Sequence, residues 1–203
     1  NGAERGFERT EALGHHLNDN AIVAAALGNR IHLGLVTEAP IKNSISLLQN
    51  YQDTIKLLPS SLLQTIHELK LADAYYRLSQ NGRFPSFAYD ALNLYLATYQ
   101  NTTNVGDGRW YRCYSLTKMA SVYLESGERK MLNGDSSSAR KRFKESLHLT
   151  RLALKYAFTQ EREYRYQVLR FRANWLLGRI HMNLAEDQEA FVAYERAKVL
   201  FES

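Results

Sequence analysis

Apolar residues return at steps of three and four along most of the chain, as in Leu71, Ala74, Tyr75 and Leu78, and in Leu116, Met119, Ala120 and Tyr123. That spacing keeps them on one side of an α-helix. Strict alternation never lasts more than a few residues, so strands are not expected. Breakers cut the helical pattern into blocks: Pro40 after LGLVTEA, Leu58-Pro59-Ser60-Ser61, NGRFPS (81–86), NTTNVGDG (101–108) and NGDSSS (133–138). In the last of these Gly134 can close one helix, and Asp135 or a following serine can accept from the unpaired amides that open the next. The pattern predicts an all-α domain over 1–203 built from about four helical hairpins: 20–57, 60–100, 108–157 and 162–202. The leading segment ERGFERTEALGHHLND reads as the second helix of an earlier hairpin.

Composition agrees. Leu, Ala, Arg, Tyr, Glu and Gln are plentiful and only three prolines occur among 203 residues, which favours helix. The longest apolar run, Ala21 to Leu27, is far short of the roughly 20 residues a membrane span needs, so no membrane partner is expected. A single cysteine, Cys113, allows no internal disulfide and no cysteine-built metal cage. A cytoplasmic setting is the default expectation. The chain does not open on Met, and the expectation is a piece of a longer protein.

Charge is unevenly spread. Residues 1–100 carry 8 Lys and Arg against 9 Asp and Glu, whereas residues 101–203 carry 18 against 12. Most of the excess lies in 139–172, with 10 basic and 3 acidic residues. Arg140, Lys141, Arg142, Lys144, Arg165 and Arg170 form the expected basic patch.

A more specific pattern closes the chain. Leu177-Gly178 is followed by His181, then by Ala190, Tyr194 and Ala197. Small residues let two helices approach, and aromatics fill the space around the contact. The order resembles the tetratricopeptide repeat, with Leu-Gly, an aromatic, then Ala, an aromatic and a small residue. Asn174 stands where that family carries its leading aromatic, and no proline follows near Glu202. Looser echoes begin at Leu27-Gly28, Leu71-Ala72 and Met119-Ala120. The resemblance implies a right-handed superhelical array of antiparallel hairpins.

It also implies where a ligand would sit, since in this family the first helix of each hairpin lines a concave groove. Projecting the positions that avoid the packing anchors selects Asn29 and His32, then Asp73, Tyr76 and Arg77. In the third hairpin it selects Tyr114, Thr117 and Ser121, and in the last Arg172, Trp175, Arg179 and Asn183. Tyr, Trp and Arg are the types that anchor protein interfaces.

Residues for other chemistry do not assemble. His15 and Asp19 lie one helical turn apart, but no third or fourth ligand completes a metal site. VGDGRW (105–110) has glycines ahead of a helix but no phosphate-loop or dinucleotide signature. Cys113 has Arg112 beside it and no nucleophile motif. Glu161 and Glu163 are carboxylates without an assignable partner, and the serines of SSSARKRF (136–143) read as helix caps. No enzyme activity, cofactor or metal is expected. The leading expectation is a protein–protein interaction scaffold binding a peptide or partner segment in the groove. Two alternatives stand beside it. One is a sensor or regulatory domain of a larger signalling protein, with an adjacent domain or dimer partner covering Val199, Leu200 and Phe201. The other is RNA or DNA binding through 139–172, disfavoured by a net charge of only +5.

Overall fold

In the computed structural model the described residues are 2–37, 41–80, 84–102, 108–158 and 164–202, without the side chains of 41–44. Pro40, the NGR of 81–83, Asp107 and the carboxylates Glu161 and Glu163 lie outside them. The described residues form helices and the turns beside them, with no strand. The helices are α1 (Gly2–Leu17), α2 (Asn20–Val36), α3 (Ile41–Lys56), α4 (Ser61–Gln80), α5 (Phe87–Asn101), α6 (Gly108–Leu132), α7 (Ser136–Ala157), α8 (Tyr164–Leu184) and α9 (Asp187–Glu202). The chain divides into two compact units, Asn1–Tyr95 and Leu96–Ser203. The division falls within α5, inside the segment 60–100 that the sequence pattern pairs as one hairpin.

In the first unit α1 packs along α2, which also packs on α3 and α4. The leading segment therefore packs against α2 through a short turn. Asn18 takes a left-handed conformation (φ 58°), and the Asp19 amide donates back to the Gly14 carbonyl at 2.9 Å. The Asp19 carboxylate then accepts from the amides of Ala21 and Ile22, capping α2. Gly14 has to be small, because a Cβ there would lie 2.9 Å from the Val23 backbone nitrogen. His15 and Asp19, the pair considered for metal, thus belong to a helix end and its cap.

The second unit holds α6 with α7 and α8 with α9, and α8 packs on both α6 and α7. Its two hairpin turns are the same turn. Gly134 (φ 80°) and Ala185 (φ 60°) each take the left-handed position. The amides of Asp135 and Glu186 reach back to the carbonyls of Lys130 and His181 respectively, at 2.9 Å in both cases. These bonds satisfy carbonyls that a helix end leaves open. The side chains repeat the link: Lys130 pairs with Asp135 at 3.4 Å, and His181 with Glu186 at 2.6 Å.

The equivalence extends through both hairpins at a separation of 51 residues. A Cβ on Gly178 would meet the Tyr194 ring at 2.5 Å, and one on Gly127 would meet the Phe143 ring at 2.5 Å. Ala139 and Ala190, then Ser146 and Ala197, follow at the same interval, all buried. The anchor in α6 is therefore Gly127, not the Met119-Ala120 pair that the sequence spacing suggests. Ala120 serves a different contact, its carbonyl accepting from the Ser146 hydroxyl at 2.7 Å. It lies in a core with Leu124, Phe143, Leu176 and Ile180. At the start of α6, Gly108 comes so close to the Thr102 carbonyl that any Cβ would overlap it, which gives that glycine a packing reason.

Candidate functional site

Four of the expected groove residues come together in the first unit. Asn29 and His32 on α2, with Asp73 and Arg77 on α4, line a pocket of about 190 Å³. Lys70 and the Tyr51 ring also line it. Gly28 lets the Tyr51 hydroxyl approach α2, since a Cβ there would lie 2.9 Å from that oxygen. Asp73 is held by the Tyr95 hydroxyl, which donates to its carboxylate at 2.5 Å. Beneath, the Tyr51 hydroxyl meets His67 Nδ1 at 2.6 Å in the buried interior. Burial, with the charge of Lys70 as a smaller cause, pushes His67 down to about 4, so it is neutral at pH 7. Tyr76, expected in the groove, is instead 7 % exposed and part of the core.

In the second unit the expected residues of α8 build a different arrangement. One guanidinium nitrogen of Arg179 lies 2.7 Å from each carboxylate oxygen of Glu128 on α6. The same guanidinium stands 5.0 Å over the Trp175 ring, a favourable cation–π geometry. Asn183 donates to Glu128 at 3.2 Å and to the Arg179 carbonyl at 2.9 Å. Trp175 remains 43 % exposed. Arg172 is exposed on the same helix but outside this network.

The α6 residues divide. Tyr114 is half-buried, with the Trp110 ring stacked on it at 5.1 Å and the Lys118 ammonium 5.2 Å from its ring centre. Ser121 is half-buried and donates to the Thr117 carbonyl. Thr117 is buried, donating to the Cys113 carbonyl at 2.8 Å, and so is not a groove residue. Cys113 itself is buried, its thiol donating to the Ala153 carbonyl at 3.4 Å. Burial pushes that thiol up to about 12, far from a reactive thiolate.

The expected basic patch is not one surface. Arg140, Lys141 and Lys144 are exposed on α7, and Arg165 is exposed at the start of α8. Arg142 is tied to Glu145 at 2.8 Å and lies over the Tyr123 ring. Arg170 is 8 % exposed and belongs to the interior. Among α9 residues, Phe191, Val199 and Phe201 are exposed while Leu200 is half-buried; the Phe201 ring lies 5.8 Å from that of Phe171.

Sequence reasoning missed Glu128, the residue that orients Arg179. The signal was present as a number, since Glu128 precedes Arg179 by the same 51 residues that separate the two glycines. Among the described residues no group of three or more His, Cys, Asp or Glu could hold a metal ion. Among them, too, no helix is long and apolar enough to cross a membrane.

No family model matches the chain, and no curated protein sequence matches it either. Among solved structures it is similar to the crystal structure of BtubC (BKLC) from P. vanneervenii, at 15 % identity over 99 % of this chain and 89 % of that one, with a TM-score of 0.44. A likeness of that degree carries neither a fold family nor a function across. What stands is an all-helical chain with a repeated hairpin in its second unit.

Proposed function

We propose that the chain is a protein–protein interaction scaffold of tetratricopeptide-like hairpins in a right-handed array, binding a peptide or partner segment on its first helices. The observation that carries this reading is the Arg179–Trp175 pair. A half-exposed indole carries a guanidinium on its face, and Glu128 fixes that guanidinium from the neighbouring helix. Tryptophan and arginine dominate interface energetics, and side chains already held in place lose less entropy on binding. The pocket lined by Asn29, His32, Asp73 and Arg77 offers both donors and acceptors for a polar segment. The glycine–aromatic contacts at Gly127 and Gly178 support the tetratricopeptide-like reading, since they give it a packing basis in two hairpins.

The test is capture from a native lysate by the wild-type chain and by a Trp175→Ala/Arg179→Ala variant, with and without nuclease, followed by crosslinking to locate the bound segment. The proposal expects a protein that wild type holds, that the variant loses, that nuclease leaves in place, and that crosslinks beside Trp175. Capture that survives the double substitution but disappears with nuclease would instead put the function in nucleic-acid binding.

A second reading, a regulatory domain within a larger signalling protein, draws support from Phe191, Val199 and Phe201 exposed on α9. An adjoining domain or a second copy of the chain would cover them. Sedimentation of the isolated chain with and without Phe191→Glu separates self-association from its absence.

A further inference from the structure

The packing of the second unit does not account for one face of α7. Arg140, Lys144, His148, Arg151 and Lys155 follow one another at steps of four, four, three and four residues, the spacing that sets side chains in a row along a helix. All five are exposed. None of the five side chains makes a hydrogen bond or ion pair with another described residue. At the usual helical rise the row is about 22 Å long. The one acidic residue of α7, Glu145, is occupied by Arg142, so nothing on the helix neutralises the row.

The hairpin architecture does not demand cations there. At the same positions of the second hairpin α9 has Phe191 for Arg140, Glu195 for Lys144, Val199 for His148 and Glu202 for Arg151. The basic row sets α7 apart from its counterpart.

A pocket adjoins it. A space of about 480 Å³ is walled by Arg151 and Leu154 of α7, Leu177 of α8, and Glu189, Val192 and Arg196 of α9. Arg151 belongs both to the row and to the pocket wall. The pocket therefore joins an aliphatic strip of Leu154, Leu177, Val192 and Ala193 to a cationic approach, with His181, Gln188 and the Glu189 carboxylate also in its wall.

We propose that this face of the second unit binds an acidic peptide segment, its carboxylates following the α7 row and one apolar side chain entering the pocket beside Arg151. Charge complementarity selects an anion, and the strip of Leu154, Leu177, Val192 and Ala193 selects a side chain that buries carbon. A single-stranded nucleic acid would instead stack successive bases on several aromatic faces, and the row offers the His148 imidazole alone. The site lies mainly on α7 and α9, with Leu177 of α8 in its wall, and shares no residue with the Trp175–Arg179 pair.

Fluorescence anisotropy on the whole chain tests it with three labelled probes: an all-glutamate peptide of roughly twelve residues, long enough to span the row when extended, the same peptide with one central leucine, and a single-stranded oligothymidine of equal charge. The leucine peptide is expected to bind about tenfold more tightly than the all-glutamate one, as burial of a leucine would give. Lys144→Glu/Arg151→Glu is expected to weaken it by at least about tenfold, the usual penalty for like charges across an interface. Val192→Ser should remove the leucine advantage and leave the all-glutamate peptide unchanged. All these positions are exposed, and an unaltered unfolding midpoint confirms that each variant folds. Tighter binding of oligothymidine than of the leucine peptide would overturn the proposal. So would peptide binding unaffected by charge reversal, or no saturable peptide binding at all.

Discussion

Glu128 and Arg179 occupy the same position in successive hairpins, and they are bonded to each other, with one guanidinium nitrogen 2.7 Å from both carboxylate oxygens. Both side chains keep about 30 % of their exposure, so solvent screens the pair. A double-mutant cycle with Glu128→Ala and Arg179→Ala is expected to give a coupling below about 1 kcal/mol in unfolding. A much larger value would assign the pair to stability rather than to the orientation of Arg179 for a partner.

The tight glycines make a graded prediction. Ala at Gly178 or Gly127 would drive a Cβ to 2.5 Å from an aromatic ring, and both substitutions are expected to cost about 1–3 kcal/mol by overpacking. Gly14→Ala should be at least as costly, because its Cβ meets the Val23 backbone. At Gly6 a Cβ would find nothing within 4 Å, and Gly6→Ala should stabilise by up to about 1 kcal/mol through helix propensity. Urea unfolding of the four variants checks the order, and equal effects at Gly6 and Gly178 would contradict it.

Ala185 holds a left-handed conformation in the turn where Gly134 stands one hairpin earlier. A side chain there costs roughly 1 kcal/mol. Ala185→Gly is therefore expected to raise the unfolding midpoint and Gly134→Ala to lower it. The two shifts should be similar in size and opposite in sign, as thermal unfolding would show.

Acid should weaken the first unit through His67. Folding lowers this imidazole from 6.5 to about 4, so the unfolded chain takes up the proton first as pH falls. The contribution is complete above pH 6.5 and is lost progressively between 6.5 and about 4. His67→Gln, which cannot charge, is expected to flatten the decline of the urea midpoint over that interval, even if its stability at neutral pH is lower. Parallel declines in the two proteins would remove His67 as the cause.

Helical character was legible because apolar spacing alone determines it, and Leu71, Ala74 and Leu78 all lie in the core as their period requires. Asn29 and His32, with Asp73 and Arg77, reached one pocket because each pair shares a helix face and those two faces adjoin. Tyr76 and Thr117 failed for a related reason. Periodicity ranks the faces of one helix but does not say how much of each face a neighbour will cover. Gly178 was recognisable beside Leu177, with Ala190 and Tyr194 in step. Gly127 was hidden, since Ser126 and Lys130 stand where the later hairpin has Leu177 and His181. Its partner ring, Phe143, keeps the same separation of 16 residues that Tyr194 keeps from Gly178.

The shared position of Glu128 and Arg179 makes neighbouring hairpins non-interchangeable. Two copies of α6–α7 placed in tandem would set carboxylate against carboxylate, and two of α8–α9 would set guanidinium against guanidinium. Each hairpin carries the sign its neighbour must lack, so the order of the repeats is written into the contact between them.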